Sequence, residues 1–377
     1  MELFSHFSGY GLAAVSFLFV LTIVVFFHEL GHFQVARWCN VDIDVFSIGF
    51  GPEIFGWNDR RGTRWKVSWI PLGGYVKFAG DDSAASTPDH SQLEALSEEQ
   101  RRSIFYFKPL WQRAAVVAAG PIANFILAVV IFALIFSVVG RVDTSARVDS
   151  VSPDSAAAEA GFQPGDLVLE IDGGAISNFA DMQRIVSASA DKRLEVLVDR
   201  GGARVTLQVT PRLKEITDRF GNKHRIGLLG ISRKMGKEET KLKKAGPVEA
   251  VWLGGREVYF VISSTFSYLG RVITGREKAD QLGGPLRIAQ ISGQMASISF
   301  AAVVNLAAVL SVSIGLINLF PIPMLDGGHL LFYAFEAVRG KPLSEQIQEY
   351  GYRLGLALVL LLMIFATWND LVNFNMF

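Results

Sequence analysis

Long uncharged runs interrupt this chain at four places, and their lengths decide what they can become. Residues 7–27 carry no Asp, Glu, Lys, Arg or His over 21 positions. Residues 114–140 are uncharged over 27 positions and residues 288–325 over 38. The last run, 354–369, covers 16 and is extended on its N-terminal side by Tyr350, Gly351 and Tyr352. A helix needs about 20 apolar residues to cross a hydrocarbon core of about 30 Å. The pattern therefore predicts four transmembrane helices. Residues 258–270 are uncharged for only 13 positions between Arg256, Glu257 and Arg271. That run is too short to cross and predicts an interfacial amphipathic helix.

Between these runs the period changes from helix to strand. Leu167-Val168-Leu169-Glu170-Ile171, 194–198 and 205–209 read as strands, with turns at Asp172-Gly173-Gly174 and Arg200-Gly201-Gly202. Residues 180–188 predict a short helix. Nearer the N-terminus, Thr63-Arg-Trp65-Lys-Val67-Ser-Trp69 alternates, Pro71-Leu-Gly73-Gly74 turns, and Tyr75-Val76-Lys77-Phe78 continues. This predicts a β-hairpin over 63–78 whose aromatic residues dip toward the bilayer. Non-helical backbone is tolerated there only if buried in protein or facing a cavity. Residues 81–100 are polar and predict a solvated loop with a helical piece.

Basic residues orient the helices. None precedes the first run, and ten lie between the first and second: Arg37, Arg60, Arg61, Arg64, Lys66, Lys77, Arg101, Arg102, Lys108 and Arg113. The positive-inside rule makes that connection cytoplasmic. The N-terminus, residues 141–290 and the C-terminus are then outside, and 336–350 inside. The expected organisation is 1–140 as one half of a membrane core, 141–235 as a soluble α/β domain, 236–290 as an interfacial linker, and 291–377 as the second half.

Composition agrees with a membrane chain. Half the residues are hydrophobic, only 19% are charged, and mean hydropathy is +0.32. Zero net charge and the absence of a basic patch exclude a nucleic-acid partner. Cys39 is the single cysteine, which excludes an internal disulfide and a cysteine-based zinc site. The first run lacks a preceding Lys or Arg and a small-residue cleavage pattern, so it is not expected to be a cleaved signal peptide.

Candidate chemistry follows the first run directly, in His28-Glu29-Leu30-Gly31-His32. His-Glu-x-x-His sets two imidazoles one helical turn apart on one face with a carboxylate beside them. Ionisable residues at membrane depth are costly and are kept there mostly for function. A catalytic zinc site takes three protein ligands and keeps one position open. His28 and His32 supply two, and Glu29 is placed to accept a proton. Asp326, in Leu325-Asp326-Gly327-Gly328-His329, is the candidate third ligand. Topology puts both motifs toward the cytoplasmic ends of their runs. His329 falls within a turn of Asp326 at awkward spacing and is left out of the ligand set. Asn318-Leu-Phe-Pro321-Ile-Pro323 cannot be regular helix, so it offers unwound backbone to an extended peptide. His6, His90 and His224 have no sequence partners and are expected at the surface. In Gly120-Pro121-Ile122-Ala123-Asn124-Phe125 the small residues allow close helix packing, and Asn124 could hydrogen-bond a neighbour.

Two resemblances extend this reading. Ser155-Ala-Ala-Ala-Glu-Ala-Gly161-Phe-Gln-Pro164-Gly165-Asp166 resembles a PDZ domain. Ile226-Gly227-Leu228-Leu229-Gly230-Ile231 resembles its carboxylate-binding loop, placed last as in circularly permuted bacterial PDZ domains. Taken together, His28-Glu29-x-x-His32, Ile70-Pro-Leu-Gly-Gly-Tyr-Val-Lys77, Gly120-Pro-Ile-Ala-Asn-Phe125, the PDZ segment and the 318–329 motif resemble the site-2 proteases. These are intramembrane zinc metalloproteases (peptidase family M50), and the likeness is to the bacterial RseP type.

The resemblance implies a polytopic α-helical membrane protein of four transmembrane helices, with a membrane-reentrant β-hairpin and an inserted extracytoplasmic PDZ domain. It implies a metalloendopeptidase with one Zn2+ held by His28, His32 and Asp326, and Glu29 as catalytic base. It further implies substrate handling by Asn318, Pro321, Pro323, Gly73 and Tyr75, and a PDZ groove at Gly227, Leu228, Leu229 and Gly230. The implied partners are single-pass membrane proteins, such as anti-sigma factors or remnant signal peptides, already cut by an upstream site-1 type protease. The implied location is the bacterial cytoplasmic (inner) membrane. Many relatives of this type carry two tandem PDZ domains, where this chain shows one. Two rivals compete. A membrane zinc protease of another architecture, acting in quality control, would typically take a Glu from a downstream helix. A non-catalytic PDZ scaffold would have a degenerate site, yet all four residues are present.

Overall fold

The computed structural model describes residues 2–81, 97–142, 144–217, 223–233, 242–277, 279 and 283–373. His90 and most of the polar loop lie outside these residues, and the side chains of His6 and His224 are likewise outside the description. In chain order the longer elements begin with α1 Glu2–Trp38, β1 Ile43–Asn58, β2 Arg64–Phe78 and α2 Leu110–Val138. Next come β3 Leu167–Ile171, α3 Phe179–Ala188, β4 Leu194–Arg200, β5 Ala203–Val209, β6 Arg212–Thr217 and β7 Lys223–Leu228. The chain ends with α4 Pro247–Ile273, α5 Pro285–Ile298, α6 Phe300–Asn318, α7 Asp326–Arg339 and α8 Glu345–Asn373. It divides into two compact units. The first holds residues 1–133, 251–262 and 282–377, and the second 134–250 and 263–281.

Four helices among the described residues are long and apolar enough to cross a membrane: Gly11–Trp38, Leu110–Val138, Phe300–Asn318 and Gln346–Val372. Their number matches the four uncharged runs, but their limits do not. The 38-residue run is broken at Ser299, whose extended backbone (φ −173°, ψ 160°) ends α5 and whose hydroxyl accepts from the Ala302 N–H to start α6. No Pro or Gly marks this break. Asp326 does not end the crossing helix but opens α7. Between α6 and α7, Pro321 and Pro323 deny the ladder its donors, and Met324 takes φ +87°. The freed groups pair in turns, Ile322 N–H with Phe320 O at 2.7 Å and Leu325 N–H with Ile322 O at 3.0 Å. Asp370 of α8 is fully buried and caps α5, accepting from Gly284 and Arg287 N–H at 2.8 and 3.0 Å.

Residues 63–78 do not form a hairpin of their own. They form the single bent strand β2, which pairs with β1. Phe46 of β1 stands opposite both Trp65 and Val76, so residues 45–48 lie between 64–67 and 74–77. The partner strand 43–58 was hidden by Gly49, Gly51, Pro52 and Gly56, which interrupt its alternation. Phe46 is wholly buried, stacks on Trp65 at 4.2 Å and meets Phe33 of α1 edge-on at 5.4 Å. Burying such a ring contributes about 2–3 kcal/mol. Arg37 at the end of α1 ion-pairs with Asp59 and donates to Thr63 at 2.7 Å, tying the β1–β2 turn to the helix.

The second unit is built on a four-stranded antiparallel sheet in the order 174–175, β3, β4, β5. Both expected turns are present. Asp172 and Gly173 have φ of 50° and 76°, and Gly201 and Gly202 have 62° and 92°. Two successive positive φ values define type I′ turns, whose twist suits a hairpin. Val168, Val196 and Val198 pack against Met182 and Val186 of α3. Asn178 caps α3 by accepting from Asp181 N–H at 2.8 Å. β6 and β7 pair separately.

Candidate metal centre

The helical repeat turns His28 and His32 to the same side of α1, with their Nε2 atoms 3.3 Å apart. From α7, Asp326 brings Oδ2 to 3.2 Å from His28 Nε2 and Oδ1 to 3.5 Å from His32 Nε2. Asp326 Oδ2 is buried and has no hydrogen-bond partner. Among the described residues, this is a group of three donors able to hold a metal ion, all within 4.8 Å of one another. Four ligands at about 2.0–2.1 Å from one centre sit about 3.3 Å apart on a tetrahedron. The 3.3 Å between the two Nε2 atoms fits that figure, and each Nε2 has an Asp326 oxygen beside it, Oδ2 at 3.2 Å from His28 and Oδ1 at 3.5 Å from His32. Two neutral imidazoles and a carboxylate are also the donor set zinc accepts in catalytic sites.

Close packing makes this approach possible. A methyl group on Gly120 of α2 would collide with the His28 and His32 rings, and one on Gly31 would collide with the Ala119 carbonyl. The small residues of the 120–125 motif are therefore contact surfaces of the site itself. Behind His32, Nδ1–H donates to the Val116 carbonyl at 2.9 Å, which leaves Nε2 with its lone pair toward the other donors.

A cavity of about 360 Å³ opens on these groups, walled by Glu29, Gly73, Gly74, Tyr75, Asn318 and His329 among others. Glu29 is half-buried beside the ligand face and receives the Val76 N–H from β2. Asn318 Nδ2 lies 3.4 Å from His28 Nε2. The structure thus gathers His28, Glu29, His32, Asp326, Asn318, Gly73 and Tyr75 around one space. Pro321 and Pro323 are not in its wall; Pro323 packs against Gly351 and Gly355 of α8. His329 faces the cavity but sits 3.5 Å from Tyr352 Oη and outside the donor group. In the second unit, Gly227 lies against Val186 and Ala190, Leu228 ends β7, Leu229 is buried in the core, and Gly230 has φ +83°. Sequence reasoning left Phe50, Leu72 and the Val116 carbonyl unassigned. A carbonyl leaves no mark in a residue pattern.

Two histidines and an aspartate with matching donor spacing, set among membrane-length helices beside a glutamate, define a membrane metallopeptidase site. Comparison with known proteins agrees. The peptidase family M50 model matches residues 16–362. A Rhizobium meliloti protein described as a candidate zinc metalloprotease is 51% identical over 94% of this chain and 95% of its own length. A similarly described protein of Agrobacterium fabrum is 52% identical, covering 95% of each chain. Metalloprotease MmpA of Caulobacter vibrioides is 43% identical over 98% of each. Among solved structures, the PDZ domain of the SdrC-like protein from Listeria monocytogenes matches 24% of this chain and 86% of its own at 23% identity, with a TM-score of 0.18. The chain belongs to peptidase family M50, the site-2 protease family, and is a zinc metalloprotease of it.

Proposed function

We propose that this protease cuts peptide bonds within the transmembrane segments of single-pass membrane proteins, in regulated intramembrane proteolysis. The observation that carries the reading is the three-donor group assembled from α1 and α7 beside Glu29. His28, His32 and Asp326 would hold the zinc. Zinc, when bound, supplies Lewis acidity that polarises a peptide carbonyl and makes water nucleophilic near neutral pH. Glu29 accepts the proton of the attacking water and delivers it to the leaving nitrogen. Asn318, with its amide beside His28, is the side chain placed to donate to developing negative charge on the carbonyl oxygen.

A helical substrate protects its own peptide bonds, so it must unwind to be cut. Gly73, Gly74 and Tyr75 present strand backbone along the cavity, where an unwound segment can be received by strand addition. The broken backbone of 318–325 borders the same space. In this reading β1 and β2 enter the membrane from the cytoplasmic face of a bacterial inner membrane. The second unit is an extracytoplasmic PDZ domain that admits substrates only after an upstream protease has removed their bulky ectodomains.

The test is Glu29→Gln in the full chain. Metal content is expected to remain at the wild-type level while cleavage of a membrane-embedded reporter falls by about 10²–10⁴-fold, the contribution of a general base. Undiminished cleavage by that variant removes the mechanism.

A further inference from the structure

The His32 imidazole has the Val116 carbonyl behind it, and the corresponding place behind His28 is held by Asn124 of α2. Asn124 is fully buried, its amide nitrogen lies 3.3 Å from His28 Nδ1, and its Oδ1 is buried without a partner. An amide N–H aimed at Nδ1 would require that nitrogen to accept, leaving the proton on Nε2. Yet Nε2 is the atom that stands 3.2 to 3.4 Å from Asp326 Oδ2, His32 Nε2 and Asn318 Nδ2. The two ends of an amide have nearly the same shape, so the same contact is reached with the group turned over. Oδ1 then accepts the Nδ1–H and Nε2 keeps its lone pair. Either orientation leaves one end of the amide unpaired, so the choice follows from the nitrogen that His28 must present.

Asn124 is firmly placed for this role. The Ser311 hydroxyl of α6 donates to the Asn124 backbone carbonyl at 2.8 Å, and Gly315 packs against Asn124 Cβ. α6 thereby fixes a residue of α2 that reaches the donor on α1.

We propose that Asn124 is the positioning residue of His28: its Oδ1 accepts the His28 Nδ1–H, selects the tautomer with a free Nε2, and aims that nitrogen into the donor group. The inference rests on zinc being held by His28, His32 and Asp326. Outer partners of metal-bound histidines are typically worth 10–100-fold in metal affinity.

The experiment measures zinc affinity by competition with a chelator, on the purified full-length protein in detergent, for wild type, Asn124→Leu and Asn124→Asp. Asn124→Leu keeps the branched shape but removes the acceptor, and its affinity is expected to fall by about 10–100-fold. Asn124→Asp keeps an acceptor and is expected to bind zinc at least as tightly as wild type. Equal weakening of both variants overturns the proposal in favour of packing, and wild-type affinity in Asn124→Leu overturns it outright. Should Asn124→Leu fail to fold, Asn124→Ala against Asn124→Asp decides by the same criterion. Wild-type protein without zinc would instead remove the metal reading on which the inference stands.

Discussion

Two carboxylates, one in each unit, Asp166 and Asp326, meet burial in opposite ways. In the second unit, buried Asp166 is fully neutralised: Arg200 donates to both its oxygens at 2.7 and 2.8 Å, and the Gln163 N–H adds a third bond at 2.9 Å. In the first unit, Asp326 is half-buried with its Oδ2 atom buried and unpaired, facing two imidazoles that stand near it without a hydrogen bond to that atom. A buried polar group left unsatisfied costs about 1–3 kcal/mol, more when charged. A fold that holds such a group in place without a protein partner has prepared it for something else, and here a cation fits. Satisfied charge marks structure; collected, unsatisfied charge marks the site.

This contrast can be broken or sharpened by substitution. The largest effect is expected from Asp326→Ala. Zinc affinity should fall well beyond the 10–100-fold typical of outer partners, with cleavage lost, while hydrogen exchange in β3 to β5 stays at wild type. Exchange that changes in the sheet would show that the site also organises the second unit.

Arg200→Leu should act on the other side only. The substitution leaves a fully buried carboxylate without its charge partner, and because Arg200 is 29% exposed, solvent screens part of the loss. Burial opposes charge on Asp166, but Arg200 and the Gln163 N–H outweigh it and hold its carboxyl below the ordinary value. A carboxyl depressed in the folded state stabilises above its ordinary pKa of about 4, and that stability drains as pH falls through the folded value. The gap between wild type and Arg200→Leu, followed by limited proteolysis of the second unit, should therefore be widest near pH 7 and close toward pH 3. A gap independent of pH would contradict the pair's electrostatic role.

Gly120→Ala is expected to cost about 1–3 kcal/mol by overpacking, read as weaker zinc binding because the added methyl meets both imidazoles. Unchanged affinity would mean that α2 can shift away without disturbing the donors. The smallest effect should come from Gly202→Ala. Its φ of +92° strains any side chain by about 1 kcal/mol, with open space around it, so only the melting of the second unit should move.

How much was legible from residues alone differs by region for physical reasons. The strands and turns of the second unit were readable because alternation and the Asp172-Gly173 and Gly201-Gly202 pairs are local signals, and local geometry answers them. The pairing of 64–78 was misread because its partner lies in 43–58, and pairing is a property of two segments. The 38-residue run hid the α5–α6 junction, since an extended Ser299 acting as a cap leaves hydropathy unchanged. Asn124 stood out as a polar residue in an apolar helix, but nothing in its neighbours named His28, 96 positions away.

The sequence by itself determined the medium and the reagents: the apolar lengths demand lipid, and the period of a helix alone places two imidazoles on one side of it. Only the tertiary structure decided that Asp326 meets them, which nitrogen His32 offers, and which backbone stands behind it. Those are distances between segments far apart in the chain, set by glycines that let α1 and α2 close to contact and by prolines that end α6 in time for α7 to begin.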